Sequence, residues 1–265
     1  MRPPFALGFV AGYCLVFAAC SRANDQSLIV DVPEAIASAE ALAVVRLSLE
    51  PSDIGTLAYT FALGKSERTG IYFYDTPELS LFDRGILLQA RQRAVGADEI
   101  SVTIRSLTST RPGKHFENLI DFACGDDVTQ DARTPWCGLS DRAHSSALGA
   151  VLRGDASSEA LFSKDQKSFV ARYAEDVPWD ALEVIGPIDS NVWSVDVPDF
   201  EQSLALEQWT LPNGAALLEI SARTTRGNAD VTLEDLRTFL RERGIEPRAH
   251  EGQRRGAISH LAENE

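Results

Sequence analysis

Positive charge is scarce in this chain. Its 265 residues include 25 Lys and Arg against 39 Asp and Glu, which gives a formal net charge of −14. A nucleic-acid groove that dominated the surface would need the opposite balance, because phosphate contacts are made mainly by basic side chains. The same balance argues against electrostatic adhesion to anionic lipid. We therefore expect no nucleic-acid partner, and any anion site must be a local basic patch inside an acidic protein.

The common catalytic signatures are also missing. The sequence contains no glycine-rich phosphate loop and no GxGxxG, GxSxG or HExxH motif. Its four histidines are His115, His144, His250 and His260. They lie far apart and mostly in loop or tail contexts, so each is interpreted as an ordinary surface histidine. No catalytic residue is assigned on this basis.

Cysteine is rare, and two of the four cysteines fall in the N-terminal segment. That segment has one arginine, an apolar run too short to span a bilayer comfortably, and small residues before Cys20. This pattern predicts a secretory signal over residues 1–20. Phe17–Cys20 resembles a bacterial lipobox, in which Cys20 receives the lipid and becomes the first mature residue. A plain signal peptide and an uncleaved anchor helix are the alternatives.

The residue after Cys20 bears on the final location. Ser21 is neutral, which in lipoproteins of this kind usually directs the protein to the outer membrane. The sequence therefore predicts an exported, lipid-anchored protein of the bacterial cell envelope, facing the periplasm.

The two remaining cysteines, Cys124 and Cys137, lie in the mature chain. Two cysteines in an oxidising compartment most often form one disulfide, and closing a loop of this length stabilises the fold by about 3 kcal/mol. Zinc is the alternative, but no CxxC pair or histidine cluster accompanies them. A Cys124–Cys137 disulfide is predicted.

The length is sufficient for one large domain or two small ones. Residues 21–40 are interpreted as a tether with a short alanine-rich helix. A single folded domain is predicted over 41–245, and the charged, glycine-containing segment 246–265 is predicted to be a flexible tail.

The segment from Ile71 to Ser106 organises this domain. It begins as a strand, passes through a YDTPEL turn and a short helix ended by Gly85, and continues as two alternating strands. Gln89, Arg91 and Arg93 share one face of the first of these strands, and Thr103 and Arg105 share one face of the second. The opposite face carries Ile86, Leu88, Val102 and Ile104. Alternation with a period of two therefore predicts one apolar and one basic surface.

Arginines at alternating strand positions are the strongest chemical signal. They are Arg46, Arg91, Arg93, Arg105 and Arg223. A guanidinium fork binds phosphate oxygens two at a time, so a ring of such groups suits a polyanion. Glu207 and Glu219 lie on later strands and could hold a hard cation beside that ring. The alternative is an antiparallel sheet with one hydrated face, on which these groups only meet solvent.

The segment YFYDTPELSLFDRGILLQARQR and the following ISVTIR resemble the central part of CYTH domains, the triphosphate tunnel metalloenzymes. In that family a Tyr-Asp-Thr-Pro turn precedes a helical turn and a glycine, matched here by Tyr74–Pro77 and Gly85. A Leu-Arg-x-Arg strand follows, of which this chain keeps Arg91 but has Gln89 at the first arginine. Arg105 stands at the basic position of the next strand.

A second region of resemblance lies near the C-terminus. LALEQWTLPNGAALLEIS is similar to the later strand pair of the family, with Glu207 and Glu219 at acidic positions and Ser221 where a second acid is usual. Together the matched regions cover roughly Val44–Ser106 and Phe200–Arg223.

The first strand departs from the family pattern. CYTH domains carry a Glu-x-Glu-x-Lys strand whose carboxylates bind the catalytic metal, whereas the corresponding strand here is Val44–Ser48, with Arg46 at its centre. Replacing carboxylates by arginine removes hard oxygen ligands, so Mg²⁺ or Mn²⁺ should bind weakly and activate water poorly. The resemblance therefore implies ligand binding more than catalysis.

The predicted fold is α+β, a mostly antiparallel β tunnel of about eight strands with flanking helices, as in CYTH domains. The predicted function is a lipid-anchored protein that binds a phosphorylated or polyanionic ligand, such as triphosphate or polyphosphate, without efficient catalysis. The ligand-binding residues would be Arg46, Arg91, Arg93, Arg105 and Arg223.

Two alternatives remain. The first is a triphosphate or polyphosphate hydrolase in which Mg²⁺ or Mn²⁺ bridges Glu207, Glu219 and the substrate. The second is an envelope protein with a blocked tunnel that acts by contact with another protein. Adenylyl cyclase activity is disfavoured because ATP is scarce outside the cytoplasm.

Overall fold

The computed structural model describes residues 42–105, 114–143, 145–198 and 200–248, together with 257, 258 and 261. Within these residues the chain forms nine strands and six α-helices. The strands are β1 (Leu42–Leu49), β2 (Glu67–Asp75), β3 (Ile86–Arg93), β4 (Asp98–Arg105), β5 (Phe122–Val128), β6 (Arg133–Ala143), β7 (Glu183–Val195), β8 (Leu204–Thr210) and β9 (Ala216–Thr225). The helices are α1 (Ile54–Thr60), α2 (Ser80–Asp83), α3 (Lys114–Glu117), α4 (Ser145–Leu152), α5 (Lys164–Ala171) and α6 (Ala229–Arg241).

The nine strands close into one barrel in the order β1-β5-β6-β4-β3-β2-β7-β8-β9, and β9 pairs back onto β1. The β1–β5 pair is parallel, whereas the other neighbours are antiparallel. The α+β architecture and the tunnel-like barrel agree with the sequence prediction. The predicted eight antiparallel strands are corrected to nine strands with one parallel pair.

Two segments explain this difference. The acidic run after Cys124 suggests a loop, but the strand β5 continues through this run. Asp126 and Asp127 point to opposite sides of the barrel wall, and each contacts arginines. The sequence around Gly186 suggests short strands separated by turns. There β7 instead runs through the glycine, whose positive φ is accommodated at an irregularity opposite Ile71 and Phe73.

The outer faces of the strands pack against helices, as the alternation predicts. Ile86, Leu88, Val102 and Ile104 share a buried cluster with Leu148 of α4 and Phe169 of α5. On the other side of the barrel, the outward residues of β1, β8 and β9 pack against Leu236 and Leu240 of α6. These clusters leave the alternate positions of the strands to line the barrel interior.

One end of the interior is apolar. Inward-facing Ile71, Phe73 and Trp209 lie there, and the same cluster includes Ile258 and Leu261 from the C-terminal segment. Of the predicted tail over 246–265, the structure describes residues 246–248, 257, 258 and 261. Arg248 pairs with Ser48, and Ala257, Ile258 and Leu261 are buried.

The predicted disulfide is present. Cys124 and Cys137 are directly opposite each other on β5 and β6, with their Cα atoms 4.0 Å apart. The predicted signal peptide, the lipidation site Cys20 and the tether over 21–40 lie outside the described residues. No helix in the described part of the chain is both long enough and apolar enough to cross a membrane.

Candidate ligand site inside the barrel

The inward positions of seven strands bring arginines and carboxylates together inside the barrel. We call the five predicted arginines the inner arginines. They are Arg46 on β1, Arg91 and Arg93 on β3, Arg105 on β4 and Arg223 on β9. Alternation places each of them on the face opposite the helix-packed clusters. The positions predicted from the sequence therefore share one enclosed surface and do not spread over an open sheet.

Arg46 lies between two carboxylates. Its Nε donates to Asp127 Oδ1 at 2.8 Å, and its Nη1 donates to Glu219 Oε1 at 2.7 Å. Arg105 Nη2 reaches the other oxygen of Asp127, also at 2.8 Å. Burial alone would lower the pKa of Arg46, but the charges and hydrogen bonds of Asp127 and Glu219 outweigh it and raise that pKa. The guanidinium is therefore a permanent cation of the interior.

A second pair lies deeper. Arg91 Nη2 donates to Glu207 Oε1 at 2.8 Å, and Ser190 Oγ donates to the same oxygen at 2.9 Å. The side chains of Arg91 and Glu207 are only 3% and 5% exposed. This ion pair is almost entirely removed from solvent, so breaking it would destabilise the fold strongly.

Arg93 and Arg223 complete the set. Arg93 contacts Glu99 at 3.3 Å and Glu67 at 3.6 Å. Its backbone N–H donates to Asp98, a carboxyl whose pKa is raised by burial. Arg223 follows Glu219 on the inner face of β9, opposite Val44 of β1.

The interior is charge-balanced, not basic. The carboxylates on its inner face, which we call the inner carboxylates, are Glu67, Glu99, Asp127, Glu207 and Glu219. They equal the inner arginines in number. The sequence analysis identified only Glu207 and Glu219 among them. Strict alternation along β5 would have revealed Asp127, but its acidic neighbours suggested a loop.

Several hydrogen-bond donors inside the barrel have no protein acceptor. Gln89 Nε2, Arg91 Nε and Trp136 Nε1 are buried, and no described residue accepts from them. Gln89 lies beside Ser101, which in turn lies beside Ser140, so that neutral polar groups form a row across β3, β4 and β6. Buried donors of this kind are normally satisfied by water or by a ligand. They mark the wall where an acceptor-rich molecule would bind.

Glycines make room for the indole of Trp136. A Cβ at Gly125 would lie 2.7 Å from the carbonyl oxygen of Leu42 and 3.2 Å from the Trp136 ring. A Cβ at Gly138 would lie 3.3 Å from the carbonyl oxygen of Val102 and 3.6 Å from that ring. Alternation places these glycines on the inner face of β5 and β6. They allow an aromatic wall to lie close to the backbone.

The residues present do not fit a divalent metal. Glu207 and Glu219 are opposite each other in the β8–β9 register, but each binds an arginine. Among the described residues, no group of three or more His, Cys, Asp or Glu side chains is arranged to hold a metal ion. Hard cations need several free oxygen ligands, and here guanidinium groups engage those oxygens. No catalytic step through a metal is derived.

Comparison with known proteins bears on the fold. No protein-family model matches the sequence, and no curated protein matches it. Among solved structures, a putative adenylyl cyclase from Hippeastrum with a dominant triphosphatase activity aligns with a TM-score of 0.61 at 15% identity, covering 83% of this chain and 95% of that one. A putative adenylate cyclase from Bacillus halodurans gives 0.55 at 13% identity, covering 81% and 97%.

At these identities the likeness concerns the fold and leaves the activity open. It nevertheless agrees with the motif resemblance in the sequence, since both lead to the same kind of barrel. The chain therefore has a CYTH-like fold, that of adenylate cyclase and triphosphatase proteins of this type.

Proposed function

We propose that the barrel binds a phosphorylated or otherwise polyanionic ligand and does not turn it over efficiently. The ligand would contact the inner arginines, Arg46, Arg91, Arg93, Arg105 and Arg223. The observation that carries this proposal is the convergence of guanidinium groups on one interior, beside buried donors that lack an acceptor. Phosphate oxygens are strong acceptors and match the guanidinium fork.

The carboxylates that pair with the inner arginines lower the affinity expected for a phosphate. Each arginine with a partner described above already contacts a carboxylate, so a phosphate would use the remaining N–H groups of an existing ion pair. Such binding is weaker than binding to an unneutralised cluster of the same arginines.

Metal-dependent hydrolysis finds less support. That function would require Mg²⁺ or Mn²⁺ on Glu207 and Glu219, whose carboxylates are engaged by Arg91 and Arg46. The likeness to a structure with triphosphatase activity supports the ligand class, while the side chains of this chain support binding without that chemistry.

We further propose that Cys20 carries a lipid that anchors the protein in the outer membrane, facing the periplasm. The lipobox-like Phe17–Cys20 sequence supports this proposal. Radiolabelled palmitate should be incorporated by the full chain and not by a Cys20→Ala variant. Equal labelling of both would contradict the anchor.

The binding proposal is tested by thermal unfolding in EDTA with inorganic tripolyphosphate as the probe. The melting temperature should rise with ligand concentration, because a ligand that binds only the native state stabilises it. Arg105→Gln should reduce this rise, since Arg105 is the most exposed of the inner arginines whose ion pairs are described above. Arg226→Gln is the matched control, because Arg226 binds Asp126 on the opposite face of β5.

The melting temperatures distinguish binding inside the barrel from no binding. A rise in wild type and Arg226→Gln, diminished in Arg105→Gln, supports binding inside the barrel. Unchanged melting temperatures with tripolyphosphate, polyphosphate and nucleotides alike, both in EDTA and with added Mn²⁺, would overturn the proposed function.

A further inference from the structure

The first strand places a positive charge where two acidic side chains converge. Arg46 comes from β1, Glu219 from β9 and Asp127 from β5, the two strands that pair with β1 on either side. The three side chains are 9–12% exposed, so they remain in limited contact with solvent. Carboxylates that face one point from two sides are typical ligands of a bound cation.

We propose that the Arg46 guanidinium is a resident cation of this barrel. Held by Asp127 and Glu219, it takes the position that a divalent metal would need, and it presents a remaining N–H to the bound phosphate. This inference rests on the proposed function and deepens it, since it states that ligand binding is independent of metal.

The hydrogen bonds around Arg46 leave one nitrogen available. Nε and Nη1 donate to Asp127 and Glu219, at 2.8 and 2.7 Å. Within the described part of the chain, Nη2 has no protein acceptor. A guanidinium is planar and rigid, so fixing two of its nitrogens also fixes the direction of the third. Arg46 therefore offers an oriented donor at no further cost in side-chain entropy.

The same geometry opposes a metal. The Asp127 carboxylate is bound on both oxygens, by Arg46 and by Arg105. A divalent ion would have to displace these guanidinium groups or lie within a few ångströms of them. Like charges at such distances repel strongly in a buried site, where water screens them poorly. The wild-type barrel should therefore exclude Mn²⁺ while it accepts phosphate.

Two variants of Arg46 test the role of its positive charge. Arg46→Gln removes the cation and retains a shorter, neutral polar side chain. Arg46→Glu reverses the charge and puts a carboxylate beside Asp127 and Glu219, giving three hard oxygen groups at one point. Arg226→Gln again serves as the control, because it removes an arginine from the outer face of the wall.

The first measurement uses MnCl₂ alone and needs no activity. Loss of the free-ion electron paramagnetic resonance signal reports bound Mn²⁺, and thermal unfolding with MnCl₂ or EDTA reports its effect on the fold. Wild type and Arg226→Gln should leave the signal and the melting temperature unchanged. Arg46→Glu should bind Mn²⁺ and melt at a higher temperature with it than with EDTA.

The second measurement uses inorganic tripolyphosphate in EDTA. Wild type should bind it without metal, and Arg46→Gln should bind it about tenfold more weakly or worse, the effect of losing one hydrogen bond from a charged donor. Arg226→Gln should bind it as wild type does.

The outcomes distinguish the two proposals. Stoichiometric Mn²⁺ binding by wild type that is lost in Glu219→Gln overturns the resident cation, and so does tripolyphosphate binding that requires Mn²⁺. In both cases the proposed function survives. Failure of tripolyphosphate to bind with or without Mn²⁺ overturns the proposed function itself. If Arg46→Glu does not fold, the wild-type titrations and Arg46→Gln still decide the matter.

Discussion

Arg91 and Glu207 form an ion pair that is almost removed from water, with Ser190 as a third partner. Removing two charges from water into such a site costs several kcal/mol of desolvation free energy per ion. The attraction between the charges offsets this cost only while both are present. The pair is thus a weak source of stability when intact. Losing one member would leave the other as an uncompensated buried charge.

Arg91→Met should lower the free energy of unfolding by about 3–5 kcal/mol, because it leaves the Glu207 carboxylate buried without its cation. The double variant Arg91→Met/Glu207→Leu should recover most of this loss, since it removes both charges. Urea unfolding of wild type, Arg91→Met, Glu207→Leu and the double variant measures the coupling. Additive losses in the double variant would mean that the two side chains do not act as a pair.

The pairing of these residues could not be predicted from the sequence. Alternation assigns a side chain to one face of a strand, and it assigned the inner arginines to a common face. It does not say which carboxylate stands across the barrel. Arg46 and Glu219 are 173 residues apart, and only the β1–β9 register brings them together. The sequence therefore predicts a basic surface where the structure has a neutral one.

The turn between β2 and α2 is the element on which the resemblance to CYTH domains mainly rests. The Asp75 carboxylate accepts hydrogen bonds from the backbone N–H groups of Thr76, Leu81 and Phe82, at 2.7–2.9 Å. One side chain thus satisfies donors on both sides of the turn and at the start of α2. Gly85, with φ of +75°, then redirects the chain into β3.

Asp75→Ala should lower the free energy of unfolding by about 2–4 kcal/mol, because it leaves several backbone donors without an acceptor. Burial raises the pKa of Asp75 above its ordinary value, although the backbone hydrogen bonds oppose the shift. The folded state therefore binds this proton more tightly than the unfolded state does. The contribution of Asp75 to stability is largest below the ordinary pKa and decreases as the pH rises through the folded one.

Chemical unfolding of wild type and Asp75→Ala across the acidic range checks both parts of this prediction. The difference in unfolding free energy should shrink as the pH rises. Gly227→Ala is a suitable control, since a Cβ at Gly227 would meet no atom within 4 Å. A difference that grew with pH would indicate that the backbone hydrogen bonds dominate over burial.

Elements with strong local signals were predicted well. The later strand pair of the second matched region is present as the β8–β9 hairpin, which turns around Pro212–Gly214. The short helix that the sequence places between the YDTPEL turn and Gly85 is α2, which begins at Ser80, and Thr76 Oγ1 accepts from the Ser80 N–H. Such boundaries depend on which donors the preceding carboxylate takes, which sequence alone does not reveal.

At the scale of the whole molecule, the barrel interior divides into a charged part and an apolar end. The apolar end contains Ile71, Phe73 and Trp209, and residues from the C-terminal segment complete it. The composition of 246–265, with many charges and two glycines, predicts flexibility. Three described residues of this segment, Ala257, Ile258 and Leu261, are nevertheless buried against the apolar end, and a single sequence does not show the surface that receives them.

Ile258→Ala should lower the free energy of unfolding by about 2–5 kcal/mol, the cost of truncating a buried isoleucine. The Ile258 side chain is 2% exposed and packs in the cluster that includes Phe73 and Trp209. Val231→Ala on α6 is the matched control, because Val231 is 63% exposed and its truncation should change stability by no more than about 0.5 kcal/mol.

A chain that ends after Arg248 extends the comparison, because it removes Ile258 and Leu261 together. It should be at least as destabilised as Ile258→Ala, and the environment-sensitive fluorescence of Trp209 should shift to longer wavelength as water reaches the ring. If Ile258→Ala and the shortened chain both unfold like the Val231→Ala control, the strands alone close the apolar end.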